Sequence, residues 1–485
     1  MLLPLIRRPE RNAKPRSKER GFTMALVAMA MVTIISMAAL SIDIGTLYEA
    51  KAEAQRAADA AALTAARVVS ISGATGSNGT GWAQICGGGA STATQAAISM
   101  AQQNLIGGVA AASGSVSVQY GAGSAGATNT NCSGIANFAV NPVVSVSVQR
   151  TNLPVFFARI FSLFGSRYSG TTVSATATAE AFNPSGSSPM VPVNPRCVKP
   201  WFVPNKDPEH GSVTFVDATS GQLTTQGVST TGVIGETFNL SPDCMVNRRG
   251  RCHLINPGTN PGPTATDATP PTAGTLQYVP GEVPAASVAI AANPSITACS
   301  QIQNADYWNA VAGCDQTTVY ACGQSFANTV NLANNPGLPD NDSANAVQCL
   351  INESATGLGN GQDYLAPGPS TGPYTYPFQT LSGGNSALIS TGVAGGSQIT
   401  NTPSIVSLPI YDSAARPAIN PIGTTTVTVV GFLQVFINSA DNTTSPTTGG
   451  NINVTVMNVS GCGNSATGTA VNGTSPVPIR LITPP

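Results

Sequence analysis

One uncharged run constrains this chain more than any other feature. Phe22 to Ile42 reads FTMALVAMAMVTIISMAALSI, 21 residues without Asp, Glu, Lys or Arg. As a helix rising about 1.5 Å per residue it spans ~30 Å, the hydrocarbon thickness of a bilayer. The run predicts a membrane-spanning helix. Seven of the 21 Lys and Arg residues precede it: Arg7, Arg8, Arg11, Lys14, Arg16, Lys18 and Arg20. Cations on one flank hold that flank in the cytoplasm, so residues beyond Ile42 are expected outside. A basic arm could also bind nucleic acid, but here it abuts an apolar run. From Cys252 to Ala415 there is no Lys or Arg, and phosphate binding needs cations, so no nucleic-acid partner is expected.

Two processing readings stand beside an uncleaved anchor. Ser36-Met37-Ala38 is a small-x-small triplet of the kind signal peptidase accepts. RGFTMAL, with Gly21 before Phe22, resembles the cleavage context of type IV prepilins, although Leu26 stands where those carry an acidic residue.

The helical pattern continues beyond the apolar run. SIDIGTLYEAKAEAQRAADAAALTAARVV holds one Gly, Gly45, and no Pro. Ala, Glu, Lys, Gln and Arg are strong helix formers, so one helix is expected from about Phe22 to Val69. Glu53 and Arg56, and Arg56 and Asp59, stand three apart and can meet on one face. Ala50, Ala54, Ala57, Ala58, Ala61 and Ala65 recur at three- and four-residue spacing. Such a stripe buries little area but lets another backbone come close. It reads either as a solvated Ala-rich helix or as a packing rod. The rod would lie against this chain's later domain or against other membrane-anchored subunits. Asp43, one residue past the run, reads as a boundary marker at the outer headgroup level or as an inter-subunit contact. The candidate packing and partner-contact residues are therefore Asp43, Ala50, Ala54, Ala58, Asp59, Ala61 and Ala65.

The remainder is polar but almost uncharged. Charged residues make up 9% of the chain, against about 25% in ordinary soluble proteins. With 50 Gly and 36 Pro and 42% apolar residues, the composition predicts many short strands joined by turns rather than disorder. All ten Cys follow the apolar run. An even count on one side of a span suggests disulfides in an oxidising compartment, with connectivity open. No CxxC pair occurs, and only His210 and His253 could add imidazole, so no metal site is expected.

The stretch Gly21–Arg67 resembles the N-terminal segment of TadE/TadG-like proteins of the tight-adherence (Flp/Tad) pilus system. The resemblance is carried by Gly21, Asp43, Gly45, Tyr48, Gln55, Ala57, Ala58, Asp59, Ala60, Ala61, Ala62 and Leu63. NPVVSVSVQRTNLPVFFARIFSLFGSRYSGTTVSATATAEAF is similar to a second segment of that family. There a strand leads through a helical turn to an Ala/Thr/Val strand. Val143–Gln149 and Thr171–Glu180 alternate as half-buried strands do, and Leu153–Phe164 is expected as a short helix with its Phe residues in the core. Some relatives carry a metal-dependent adhesion motif, Asp-x-Ser-x-Ser. Asp217-Ala218-Thr219-Ser220-Gly221 lacks both serines, so no such site is expected.

Residues 184–204 read as a Pro-rich connector. Beyond it, Thr426–Ile437, Asn451–Val459 and Ser404–Asp412 read as strands, the first two paired through an Asn/Thr/Gly-rich loop. NADYWNAVAGC and NDSANAVQCLI read as short helices. The region contains no GxSxG, HExxH or P-loop. Asp340 and Asp342 could open a calcium loop, but Ala344, Asn345 and Ile351 break the EF-hand pattern, leaving a surface turn.

The expectation is an α+β chain. It has a basic tail (1–20), a transmembrane and extended Ala-rich helix (21–70), a small sheet-plus-helix region (71–183), the connector (184–204) and a β-rich extracytoplasmic domain (205–485). The resemblance implies a non-enzymatic structural component of Flp/Tad pilus assembly, single-pass in a bacterial inner membrane. Its partners would be the lipid bilayer and other pilus-assembly or pilin-like subunits, with no cofactor. The alternative is a secreted or surface adhesin binding a carbohydrate or protein ligand through the β-rich domain.

Overall fold

Helix α1 (Glu19–Ile71) runs for 53 residues, and the computed structural model places its two halves in different surroundings. The structure describes residues 19–72, 85–123, 126–135, 138, 141–153, 157, 171–183, 191–209, 213–224, 233–242, 245–246, 252–253, 274–285, 288, 290, 295–300, 305–331, 342–366, 378–414, 423–443, 450–473 and 475–482. The short helix expected over Leu153–Phe164 falls almost wholly outside them.

The second half of α1 lies on an antiparallel sheet of β1 (Val116–Ala122), β2 (Ala127–Asn129), β3 (Pro142–Leu153) and β4 (Thr171–Ala181). The two strands read from alternation are β3 and β4. Val144, Val146 and Val148 on β3, with Val173, Ala175, Ala177 and Ala179 on β4, form one core with the alanines of α1. A second helix, α2 (Thr92–Gln103), packs beside α1 through Ala93, Ala97 and Ala101. Alanine thus faces alanine across both contacts. The stripe that buries little area serves to bring helix and sheet backbones close.

The second unit is a closed barrel of β5 (Trp201–Pro204), β6 (Thr237–Pro242), β7 (Thr275–Pro280), β8 (Ile405–Tyr411), β9 (Val429–Ala440) and β10 (Ile452–Gly461). The order around it is β7-β5-β8-β9-β10-β6. β8, β9 and β10 are the three strands read from sequence, and β9 pairs antiparallel with β10 as expected. The two expected helices are α3 (Ala305–Ala312) and α4 (Asp342–Ile351). Both pack against the barrel's core.

Two segments differ from the sequence reading. The stretch 184–204 is more than a connector, because its Trp201, Phe202 and Val203 are wholly buried as barrel strand β5. Three large apolar residues in a row are what a strand covered on both faces requires, and Pro200 and Pro204 frame it rather than interrupt it. The second difference is the last strand, β11 (Ile479–Ile482). It leaves the β-rich unit and pairs antiparallel with β4. The barrel is therefore inserted between two neighbouring strands of the first sheet. Arg480 ties this return by an ion pair to Glu180 and by stacking over Phe182. Asn458 Nδ2 of β10 donates to Ser70 O at the end of α1, fixing the two units against each other.

Candidate functional site on the N-terminal helix

The first half of α1 touches almost nothing. From Phe22 to Ile42 every residue except the partly covered Ala39 is exposed. Phe22, Met24, Met29, Met31, Val32, Ile34, Ile35 and Met37 are all more than half exposed. Two of its four hydroxylated residues bond to the helix itself, Thr33 Oγ1 to Met29 O at 3.1 Å and Ser36 Oγ to Val32 O at 2.7 Å. A helix that pairs its backbone polar groups internally and shows an apolar surface all round is suited to lipid. The helix is long and apolar enough to cross a membrane.

The second half begins at Asp43, which is 2% exposed. Its Oδ2 accepts the Phe157 N–H at 3.0 Å. Ala50, Ala54, Ala58, Ala61 and Ala65 are buried against the chain's own sheet and α2. Lys51 Nζ donates to Ser174 O, and Gln55 Nε2 to Thr176 O at 3.4 Å. Both carbonyls lie on the part of β4 that β11 does not cover. The ion pairs suggested by spacing give way to other bonds. Glu53 Oε2 accepts the Gly107 N–H at 2.6 Å, and Asp59 Oδ1 accepts from Gln55 Nε2 at 2.8 Å. Of the seven candidate residues, the five alanines share one packed face. Asp43 sits at its membrane end, and Asp59 is half-buried.

Among the buried ionisable groups of the barrel unit, Lys199 and Glu353 are two that the sequence reading did not single out. Lys199 Nζ donates to Val311 O and Gly313 O, each at 2.6 Å, and to Ala310 O at 3.4 Å. It closes the C-terminal end of α3, where a helix leaves carbonyls unpaired and favours a cation. Burial pulls the ammonium down to about 7, with Asp315 opposing that pull. The one hint in the sequence is a lysine wedged between Cys197 and the apolar PWFV. Glu353 accepts the Ala440 N–H at 2.9 Å and the Gly357 N–H at 3.0 Å. Burial pushes its carboxyl up to about 8, against those two bonds.

This raised carboxyl has a testable consequence. The folded state keeps a proton that the unfolded chain releases above its ordinary value of 4.5. Glu353 therefore contributes stability that is fully present below that pH and is lost as pH rises toward about 8. The urea midpoint of the barrel is expected to fall over that window, and Glu353→Gln to flatten the fall. Parallel wild-type and E353Q profiles would remove Glu353 as the cause.

Other flagged residues are held by local turns. Asp217 Oδ1 accepts from Ser220 N at 2.7 Å, Ser220 Oγ at 2.8 Å and Thr219 N at 3.1 Å. The Ser220 bonds hold its carboxyl below the usual range, and the loop is an ordinary Asx turn. Asp342 is buried in the first turn of α4 rather than in a surface turn. A carboxylate is favoured at a helix N-terminus, which accounts for the difference. Asp340 and His210 fall outside the described residues. Among the described residues, no three His, Cys, Asp or Glu side chains converge as a metal would require.

No curated protein and no solved structure matches the chain. The apolar helix and the family found at this end of the chain fit a single-pass, membrane-anchored pilus component. The N-terminal region, residues 21–68, matches the family described as putative Flp pilus-assembly TadE/G-like, and this is the helix whose first half is bare and whose second half carries the sheet.

Proposed function

We propose that this protein is a structural component of Flp/Tad-type pilus assembly in the bacterial inner membrane, without bond chemistry of its own. The basic tail stays in the cytoplasm, α1 crosses once, and both folded units stand on the outer side. The observation that carries this reading is the coincidence of residues 21–68 with one unbroken helix. That helix joins a bare apolar span directly to a packed domain. Because the alanine stripe is occupied by the chain's own sheet, subunit contacts in the membrane fall to the exposed side chains of the span.

A photo-crosslinking residue at Met31 or Ile34, introduced in the native host, tests this. Adducts with other pilus-assembly subunits are expected, together with loss of assembled pili when the chain is deleted. Normal piliation in the deletion strain, with no such adducts, would overturn the proposal.

A further inference from the structure

We propose that the cleft between α2 and the loop 388–401 of the barrel unit binds a short, uncharged oligosaccharide. The site does not depend on α1 crossing a membrane.

Two stretches distant in sequence face each other across this cleft. One wall is the outward side of α2, where Thr92, Gln95, Ser99 and Gln103 recur at three- and four-residue spacing and form one stripe. The other wall is Gln398, Thr400 and Asn401. Met100, Leu388, Val393 and Ile399 supply apolar surface beside these polar groups. The cleft encloses about 470 Å³, within the ~300–1,000 Å³ usual for small-ligand sites.

Charge, or its lack, narrows the ligand. Both walls come from charge-free stretches, because no Asp, Glu, Lys, Arg or His occurs from Val68 to Gln149 or from Tyr364 to Tyr411. Thr64 of α1 also lines the cleft, whereas Arg67, one turn further on, does not. A phosphate, a carboxylate or a metal ion would lose its water there and gain no counter-charge. Recognition therefore rests on hydrogen bonds and apolar contact.

The loop wall is held in place by its own bonds. Gly396 N–H donates to Ser382 O, and Ser382 Oγ to Ala394 O, each at 2.8 Å. Ser382 N–H donates to Ser397 O, and Ile399 N–H to Thr380 O, each at 2.9 Å. This pairing turns the N–H and C=O of Gln398 away from Leu381, and they bond to nothing else among the described residues. The side-chain amides of Gln103, Gln398 and Asn401 are exposed and likewise unpaired among the described residues. Gln95 is already fixed, its Nε2 donating to Gly89 O. A wall set before binding loses little freedom when a ligand arrives.

The functional groups fit a sugar better than its rivals. Carboxamides carry a donor and an acceptor each, and a hydroxyl is both. Sugar hydroxyls present the same mixed pattern, and the C–H faces of a pyranose ring suit the apolar side chains. An added polypeptide strand needs a row of free backbone groups along an edge. Here the chain bends at Thr400, so Gln398 offers a single pair. An apolar ligand would strip water from the amides and return no bond. No aromatic ring lines the cleft, so a stacking platform is absent and the expected affinity is weak, with a dissociation constant on the order of millimolar.

The test is saturation-transfer NMR on the full chain in a sugar-free zwitterionic detergent. The probes are maltotriose, cellotriose and tri-N-acetylchitotriose, with trigalacturonate as an anionic probe and a Gly/Ser/Thr octapeptide as an uncharged peptide. Transfer to at least one neutral trisaccharide is expected. Gln103→Ala with Gln398→Ala should weaken that binding by roughly fivefold. Ser99→Arg, at an exposed position, should block it, and Val319→Ala, outside the cleft, should leave it unchanged. No transfer to any of the three neutral sugars would overturn the proposal. So would transfer that survives both cleft variants, which would put the sugar elsewhere on the chain. Equal or stronger transfer to trigalacturonate or to the octapeptide would also defeat it, because the cleft would then select a different chemistry.

Discussion

Leucine at Ala54, Ala58 and Ala61 together is expected to unseat α1 from its sheet. All three alanines are fully buried, and they face a surface that is itself built from Ala175, Ala177 and Ala179. Small residues on both sides leave no space for three further carbons at each position. Overpacking a filled core costs about 1–3 kcal/mol per site. Three sites together cost ~3–9 kcal/mol, against a domain stability of ~5–15 kcal/mol. The bonds from Lys51 and Gln55 to the Ser174 and Thr176 carbonyls require the same close approach and would be lost with it. In detergent-solubilised full-length protein, amide exchange in β3 and β4 should accelerate by at least a hundredfold. Strands β8 to β10 of the barrel should stay protected. Leucine at the exposed Arg56 is the control and should leave exchange unchanged. Unaltered protection of β3 and β4 in the triple variant would mean that the alanine face does not carry the sheet.

The helix itself was legible because two strong signals coincide in it. A 21-residue uncharged run and an Ala-rich continuation without Pro leave few alternatives, and α1 extends only a few residues beyond the expected ends. Which of two partners the alanine stripe meets was not legible. Small residues at helical spacing permit close approach to any backbone, and nothing local names the backbone. The strands of strict alternation, β3 and β4, were recoverable for the same reason as the helix. β5 was not, since a four-residue strand bounded by Pro looks like a linker until its neighbours cover it. The return of β11 to β4 depends on pairing across some three hundred residues, as in Arg480 with Glu180, and short-range pattern carries no information about that. Lys199 and Glu353 were missed because an isolated charge ordinarily signals surface. Only the fold shows that each satisfies backbone groups that burial would leave unpaired.

Reduction is expected to unfold the barrel unit near physiological temperature. Three described disulfides join that unit, Cys197–Cys314, Cys299–Cys349 and Cys322–Cys462, with sequence separations of 117, 50 and 140. In the chain-entropy description each closes a loop worth about 4–5 kcal/mol. The loops overlap, because Cys299 lies inside the first and Cys314 and Cys322 inside the second, so the sum is an upper bound. Even a part of it matches the whole stability of a typical domain. The barrel unit also has a large apolar core, but its many Gly, Asn and Thr turns add chain entropy that the cross-links offset. The first unit holds one described bridge, Cys86–Cys132, with a separation of 46, and it keeps its helix-on-sheet core without it. Thermal unfolding of the full chain, oxidised and after dithiothreitol, should lose its barrel transition or shift it down by more than ~20 °C. Replacing Cys86 and Cys132 by serine should weaken only the first unit. A reduced barrel melting within about 5 °C of the oxidised one would show that these bridges are incidental to folding. The expected outcome also bears on topology, since a barrel that needs its disulfides can mature only where thiols are oxidised. If the cations before Phe22 hold the tail in the cytoplasm, as proposed, that outcome would put both units beyond the membrane. Reversing the charge of the tail should then yield a reduced and unfolded barrel.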